Sequence, residues 1–322
     1  MGRKQGPRHG SLQFWPRKKA KKILPRVNYK FLSTKKEKPG FLGFIGYKVG
    51  MKSAYVKDST PDSMTKNKRI TIPVTIIECP TMKIFSIRFY KNNKVVKEVI
   101  NENIDKELKK RIKLPKQAKT KEQIEKIEKQ GDFDDLRVIV YSQVKKIGLK
   151  KNPDIIELGL SGSKEDKLKI IKENLTKEIS INNVFELGLV DIRGLTRGKG
   201  YQGPVKRFGV RLRVRKAEKG QRKVGCIGPW HPARISFKVP FAGQLGNFSR
   251  ITYNGQIISI EKASEKNLTP KSGFKKYGKL RGDYIILRGS VQGAVKKRIL
   301  ITSPLRPNKK QSKKQYEFIE LR

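Results

Sequence analysis

Three stretches carry the residue types and spacings from which chemistry is built. Gly198-Lys199-Gly200-Tyr201-Gln202-Gly203 has the G-x-G-x-x-G spacing that lets a backbone approach a pyrophosphate. In a dinucleotide site it would open a helix and be followed by an acid about twenty residues on. Pro204 and the broken basic sequence behind it predict no helix, and the nearest acid, Glu218, lies in the same basic segment. The same physics has a second use. Glycines admit phosphates close to the backbone, and Arg197 and Lys199 supply the charge. Gly46-Tyr47-Lys48-Val49-Gly50-Met51-Lys52-Ser53 echoes a phosphate loop, but its Lys does not directly follow the second Gly. That segment is predicted as a tight β turn.

The third stretch, residues 205–238, is the most informative. Arg211, Arg213 and Arg215 alternate as on one face of an extended strand, with Lys216 behind them and Arg222 and Lys223 after Gly220. The chain then tips over at Gly228-Pro229-Trp230-His231-Pro232, where two prolines rigidify the tip. Trp230 either closes a hairpin from within or stands exposed against RNA. The cations on both flanks favour exposure.

Catalytic groupings are nearly absent. The chain has two His, His9 and His231, and two Cys, Cys79 and Cys226, with no zinc spacing or disulfide framework. No Ser, His and Asp order stands out, and a two-metal nuclease would need clustered carboxylates where the basic loop has only Glu218. The expectation is no enzyme, no metal and no cofactor, with both Cys as small buried or half-buried residues.

The elements that must position these stretches emerge from charge and periodicity. Among 322 residues, 76 Lys or Arg face 28 Asp or Glu, a net +48 that opposes compaction unless a polyanion is the partner. Residues 1–40 hold 13 cations and one acid, and residues 194–250 hold 14 and one, whereas residues 101–190 hold 20 and 16. The two basic segments therefore read as contact regions and the middle as ordinary solvated protein. Residues 1–40 show no helix or strand period and are expected to be an extended arm, with Trp15 packing on a base or on the protein body. Residues 70–78, 82–90, 94–100, 136–143, 184–193, 251–261, 283–288 and 295–302 read as strands. Residues 104–113, 121–129 and 164–175 have helical spacing. No apolar run reaches the 18 residues of a membrane span and no signal-peptide pattern is present, so no membrane partner is predicted.

The fold class expected is mainly β. A central closed β-barrel, residues 41–100 with 184–303, carries a small α/β insertion at 101–183, an extended basic N-terminal arm at 1–40, a basic Gly-rich loop at 194–250 and a tail at 304–322.

At this point the motifs resemble a known family. Gly6-Pro-Arg-His-Gly-Ser-Leu12 with Trp15-Pro-Arg-Lys-Lys-Ala20, Gly43-Phe-Ile-Gly-Tyr-Lys-Val-Gly-Met51, Ile72-Pro-Val-Thr-Ile-Ile-Glu78, Gly194-Leu-Thr-Arg-Gly-Lys-Gly-Tyr-Gln-Gly203 with Val205-Lys-Arg207, and Ala242-Gly-Gln-Leu-Gly-Asn247 follow one another in order. Together they resemble the universal large-subunit ribosomal proteins of the L-three family, in the archaeal and eukaryotic form, almost end to end. The resemblance implies a translation-protein-like barrel on the solvent side of the subunit and an early role in its assembly. It also implies a finger loop threading ribosomal RNA towards the peptidyl transferase centre, where Trp230 falls at the finger-tip tryptophan. Through that finger the protein would influence aminoacyl-tRNA accommodation and factor binding. Its partners would be ribosomal RNA, neighbouring ribosomal proteins and, indirectly, tRNA and translation factors, in the cytoplasm.

The RNA contacts carried over or inferred from charge are Arg8, His9, Ser11, Trp15, Arg17, Lys18 and Lys19 in the arm. In the loop they are Arg197, Lys199, Lys206, Arg207, Arg211, Arg213, Arg215, Lys216, Lys219, Arg222, Lys223, Trp230, His231, Arg234, Lys238, Gln244 and Asn247. Two modifiable family positions differ. Glu218 stands where eukaryotic members have a modifiable His, and about His231 where bacterial members have a modifiable Gln, so neither modification is predicted. Two other classes remain beside this one. An architectural DNA binder would use minor-groove arms and show little RNA preference. An RNA-modifying enzyme would bind a nucleotide cofactor saturably at Gly198–Gly203.

Overall fold

The computed structural model describes residues 12–36, 38–115 and 119–322, and these form two compact units. One holds the described residues up to Ile23 together with Leu195–Arg250; the other holds Leu24–Gly194 and Ile251–Arg322.

The elements in chain order are helix α1 (Tyr29–Ser33), strands β1 (Gly40–Phe41), β2 (Gly43–Asp58), β3 (Arg69–Glu78), β4 (Met82–Lys91) and β5 (Lys94–Ile100), helix α2 (Thr120–Gln130), strands β6 (Asp135–Ser142) and β7 (Ile155–Ser161), and helix α3 (Lys164–Asn174). Strands β8 (Leu189–Leu195) and β9 (Gly200–Gln202), helix α4 (Pro204–Phe208), strands β10 (Gly243–Leu245), β11 (Ser249–Glu261), β12 (Tyr284–Arg288) and β13 (Arg298–Thr302), helix α5 (Lys309–Ser312) and strand β14 (Tyr316–Leu321) follow. The fold is mainly β, as expected.

In the larger unit the strand order β13-β8-β11-β12-β3-β2 returns on itself, because β13 is bonded to β8 on one edge and to β2 on the other. Strand β2 makes this closure possible. Its sixteen residues pair with β3 along one edge, while the other edge serves β13 at Gly43–Tyr47 and β14 at Ala54–Asp58. A register shift between Lys48 and Gly50 bends the strand between the two halves. Gly46 must be small, since a Cβ there would lie 2.5 Å from Ile77 Cγ2.

Alternation along the ring strands sorts side chains into two cores. Ile77, Ile285, Leu287 and Ile301 join a cluster that includes Ile84, Val138, Val140 and Leu158 of the second sheet. Their neighbours Ile76, Tyr284 and Ile286 join a separate cluster with Val49, Val74 and Leu280. Each such aliphatic side chain, fully buried, contributes roughly 1.5–3 kcal/mol.

The second sheet has the order β1-β7-β6-β4-β5, and here the structure corrects the sequence reading. Residues 82–100, expected in the barrel body, instead join the sheet of the predicted insertion, with β4 paired to β6 and β5 to β4. Met82–Lys91 alternates apolar residues as a ring strand would, and the pattern does not say which sheet takes it up. Helices α2 and α3 belong to this part. Ser163 and Asp166 form a capping box that starts α3, and Leu168 and Ile171 are buried. Gly131, at φ 64°, stops α2 in the left-handed conformation. The helix expected at 104–113 shrinks to a short 3-10 turn at Lys106–Lys110. The predicted tight turn at Gly46–Ser53 is instead the interior of β2, and the predicted tail contains α5 and β14.

The buried carboxylates of this unit, Asp58, Glu78, Asp154 and Asp191, all accept hydrogen bonds. Asp154 is fully buried and accepts from Tyr47 Oη at 2.5 Å, beside Lys150, Arg298 and Arg111. Burial pushes its carboxyl up, but hydrogen bonds from Lys150 and Tyr47 and the charge of Arg298 outweigh this and hold it below the usual carboxylate range. Asp58 is treated alike. Burial works to raise it, and hydrogen bonds from Thr60, Thr65 and Ser63 prevail and lower it.

Candidate nucleic-acid interface

The smaller unit is built on little regular structure. Strands β9 and β10 pair antiparallel, Gly200 opposite Leu245 and Gln202 opposite Gly243. Gly203 then caps the single turn of α4, with Pro204 at its first position and Gly209 ending it at φ 71°. A helix therefore does follow the G-x-G-x-x-G stretch, contrary to the sequence expectation, because proline is favoured at a first helical turn. Five residues after an antiparallel strand are not a dinucleotide fold, which needs a long helix between parallel strands.

Close packing at the base fixes where the loop starts and ends. A Cβ on Gly246 (φ 78°) would sit 2.0 Å from the Arg197 carbonyl oxygen, and one on Gly198 would sit 2.7 Å from Asn247 Nδ2. Asn247 N–H donates to Thr196 O at 3.2 Å, and Ala20 N–H donates to Asn247 O at 3.0 Å, which ties the arm to the loop. Arg207 works inward. Its Nε donates to Gln244 O at 3.0 Å, Nη1 to Phe241 O at 2.9 Å, and Nη2 to Arg17 O at 3.3 Å. Arg17 Nη1 returns a bond to Arg207 O at 2.9 Å. Burial pulls the Arg207 guanidinium down from its ordinary value, yet an arginine stays cationic at neutral pH. Trp15 stacks on Phe208 at 5.5 Å and meets Phe237 at 6.0 Å, while Arg17 lies 4.2 Å over Phe208.

From Gly209 to Pro240 the described chain has no strand or helix. The alternating strand predicted through Arg211, Arg213 and Arg215 is absent. Arg213 N–H donates to Gln221 O, and Arg213 Nη2 donates to Val224 O at 3.1 Å and Gly225 O at 3.3 Å, so this side chain folds the segment back on itself. Gln221 Nε2 reaches Arg215 O at 3.0 Å, and Lys219 (φ 59°) and Gly220 (φ 91°) make the turn between. Trp230 is 89% exposed.

The proposed contacts thus divide. Lys18, Lys19, Arg197, Lys199, Lys206, Arg211, Arg215, Lys216, Lys219, Arg222, Lys223, His231, Arg234 and Lys238 are exposed. Trp15, Arg17, Arg207, Arg213, Gln244 and Asn247 are half-buried and hold the unit's own backbone or rings. Arg8, His9 and Ser11 lie outside the described residues. Exposed Tyr201, Phe237 and Phe241 were not anticipated, since lone aromatics between cations announce neither burial nor exposure. Cys79 is buried as expected, whereas Cys226 is exposed. No cluster of metal-ligating side chains exists among the described residues, and no described helix is long and apolar enough to cross a membrane.

A mainly β body and a second unit rich in exposed cations define a basic protein suited to a polyanionic partner. The chain belongs to the ribosomal protein L3 family, whose model matches residues 1–322. It is similar to the large ribosomal subunit protein uL3 of Methanocaldococcus jannaschii, 40% identical over 313 residues and covering 94% of this chain and 92% of that one. It is also similar to the uL3 proteins of Methanobrevibacter smithii, 39% identical with 96% and 95% covered, and of Archaeoglobus fulgidus, 39% identical with 94% and 93% covered. It is a ribosomal protein of the large subunit and of archaeal type, a structural constituent of the cytoplasmic ribosome.

Proposed function

We propose that this protein binds and organises large-subunit ribosomal RNA through the loop unit and the arm. The loop acts as a finger directed towards the peptidyl transferase centre and presents Trp230 near its tip. There it influences aminoacyl-tRNA accommodation and factor binding, and the protein joins the subunit early in its assembly. The closed six-strand ring serves as the barrel that carries the finger, with neighbouring ribosomal proteins against the remaining surface.

One observation carries the reading. Residues 194–250 hold fourteen cations against the single acid Glu218, and most of these side chains are exposed. Such a surface repels itself until phosphates arrive, and a chain without regular structure can follow folded RNA where a globular body cannot. Sedimentation of a cell lysate, with the gradient fractions probed for this chain, tests it. Co-sedimentation with the large subunit that survives a high-salt wash is expected. Release at moderate salt would mean a peripheral binder and would end the finger reading.

A further inference from the structure

A cavity of about 1030 Å³ opens in the larger unit, away from the loop in sequence. It is lined by Phe31 on α1, Lys35 just after it, Arg193 on β8, Tyr253 on β11, and Arg306 after β13. Arg193 is the unusual member. It is only 8% exposed, its Nε donates to Thr302 Oγ1 at 3.2 Å, and among the described residues no carboxylate lies within 4 Å of it. By contrast, buried Asp154 has cations against it, and the buried Lys48 ammonium donates to the carbonyl oxygens of Val291 and Gly293. A buried guanidinium without a counter-charge is costly unless an anion completes it. Lys35 and Arg306 stand exposed at the cavity, and Lys36, half-buried there, donates to Phe41 O at 3.1 Å. Among the described residues, the carboxylate paired with a cation of the lining is Glu186, 3.4 Å from Lys38, and both side chains of that pair are largely in water, where the attraction is weak.

The second observation is aromatic. Phe31 is 63% and Tyr253 54% exposed, and both line the same cavity. Exposed rings beside cations suit a ligand with a flat face and a negative group, because a base stacks while its phosphate meets the guanidinium. An acidic peptide would satisfy the cations and leave the rings without use. The volume exceeds what one nucleotide fills, which leaves room for its flanking backbone.

We propose that this cavity is a nucleotide pocket. It takes one unpaired nucleotide, its base against Phe31 and Tyr253 and its phosphate on Arg193, Lys35 and Arg306. The inference rests on the RNA-binding reading above but uses a surface outside the finger. Its nucleotide comes either from an RNA strand or from free solution, and the chemistry is the same.

The test uses the full chain in assembled ribosomes, with Phe31 replaced by benzoylphenylalanine and irradiated. In parallel, purified full chain is titrated with adenosine 5′-monophosphate. Crosslinks to one or a few unpaired ribosomal RNA nucleotides support the pocket with an RNA strand as source. Saturable nucleotide binding without such crosslinks supports it with a free nucleotide as source. In either arm Lys35→Glu with Arg306→Glu should lower the signal about ten-fold, the loss that follows when charge-assisted phosphate contacts are reversed. These two side chains are exposed, so the pair of changes leaves the fold intact, which a change at buried Arg193 would not guarantee. Crosslinks to protein only, or neither signal, overturn the proposal. If the chain still co-sediments with the subunit in that case, only the pocket fails and the finger reading stands.

Discussion

Around Asp154, Lys150, Arg298, Arg111 and Tyr47 converge on one fully buried carboxylate. Around Trp230, the cations Arg222, Lys223 and Arg234 stand exposed in a segment of 57 residues that owns one acid. The same side chains perform opposite tasks in the two units. In the body, the charge of Asp154 is enclosed and joins Tyr47 of β2 to Arg298 of β13. In the loop unit most cations are exposed, while Arg17, Arg207, Arg213 and Arg250 hold backbone carbonyls or rings. A net charge of +48 is therefore compatible with a stable fold because most of the excess is kept out of the folded core.

The contrast can be broken most sharply at Asp154. Asp154→Ala leaves half-buried Lys150 and Arg298 and the buried Tyr47 hydroxyl without their partner and should cost about 2–3 kcal/mol of stability, seen in denaturant unfolding of the purified chain. An unchanged midpoint would show that the cluster does not hold the body. Next in size, Arg211→Glu, Arg215→Glu and Lys216→Glu combined should leave that midpoint in place. RNA affinity should fall about a hundred-fold, and the slope of log affinity against log salt should flatten by about 2, since each phosphate contact contributes roughly 0.7–0.9. If unfolding shifted instead, these residues would be structural.

Acid should separate the units in the other direction. Asp154 and Asp58 have folded pKa values below the unfolded value near 3.9. Their stabilisation is present in full above that pH and is lost as pH falls through the folded values. The body should weaken progressively below about pH 4 while the Lys and Arg charge of the loop does not change, as circular dichroism and RNA binding across pH 7 to 3 would report. The smallest change in stability is expected for Trp230→Ala. An exposed ring should cost at most about 0.5 kcal/mol. The variant should assemble and yet slow aminoacyl-tRNA accommodation in pre-steady-state translation assays; normal accommodation would remove the tip from the mechanism.

Sequence reading recovered the strands wherever β-branched residues alternate, as in β3, β6 and β12, because that pattern is local. It did not recover the partner of a strand. Met82–Lys91 reads the same in either sheet, and its place is decided by side chains such as Ile84 and Val138 that are far apart in sequence. Strand β14 escaped because Tyr316–Leu321 interleaves glutamates with apolar residues on an exposed edge. In the loop, charge density marked the region correctly as cationic and exposed. It could not separate Arg211, which is exposed, from Arg213, which turns inward to Val224 and Gly225. Only the path of the backbone makes that distinction.

The bond exchange between Arg17 and Arg207 spans 190 residues. During synthesis, Arg17 and Trp15 emerge long before the carbonyl and ring that will receive them. Until Phe208 and Gln244 have also emerged, this segment has no place to dock, and closure over so long a loop is entropically slow. The nascent protein must therefore hold a cationic strand in waiting, exposed to every polyanion nearby, through most of its own production.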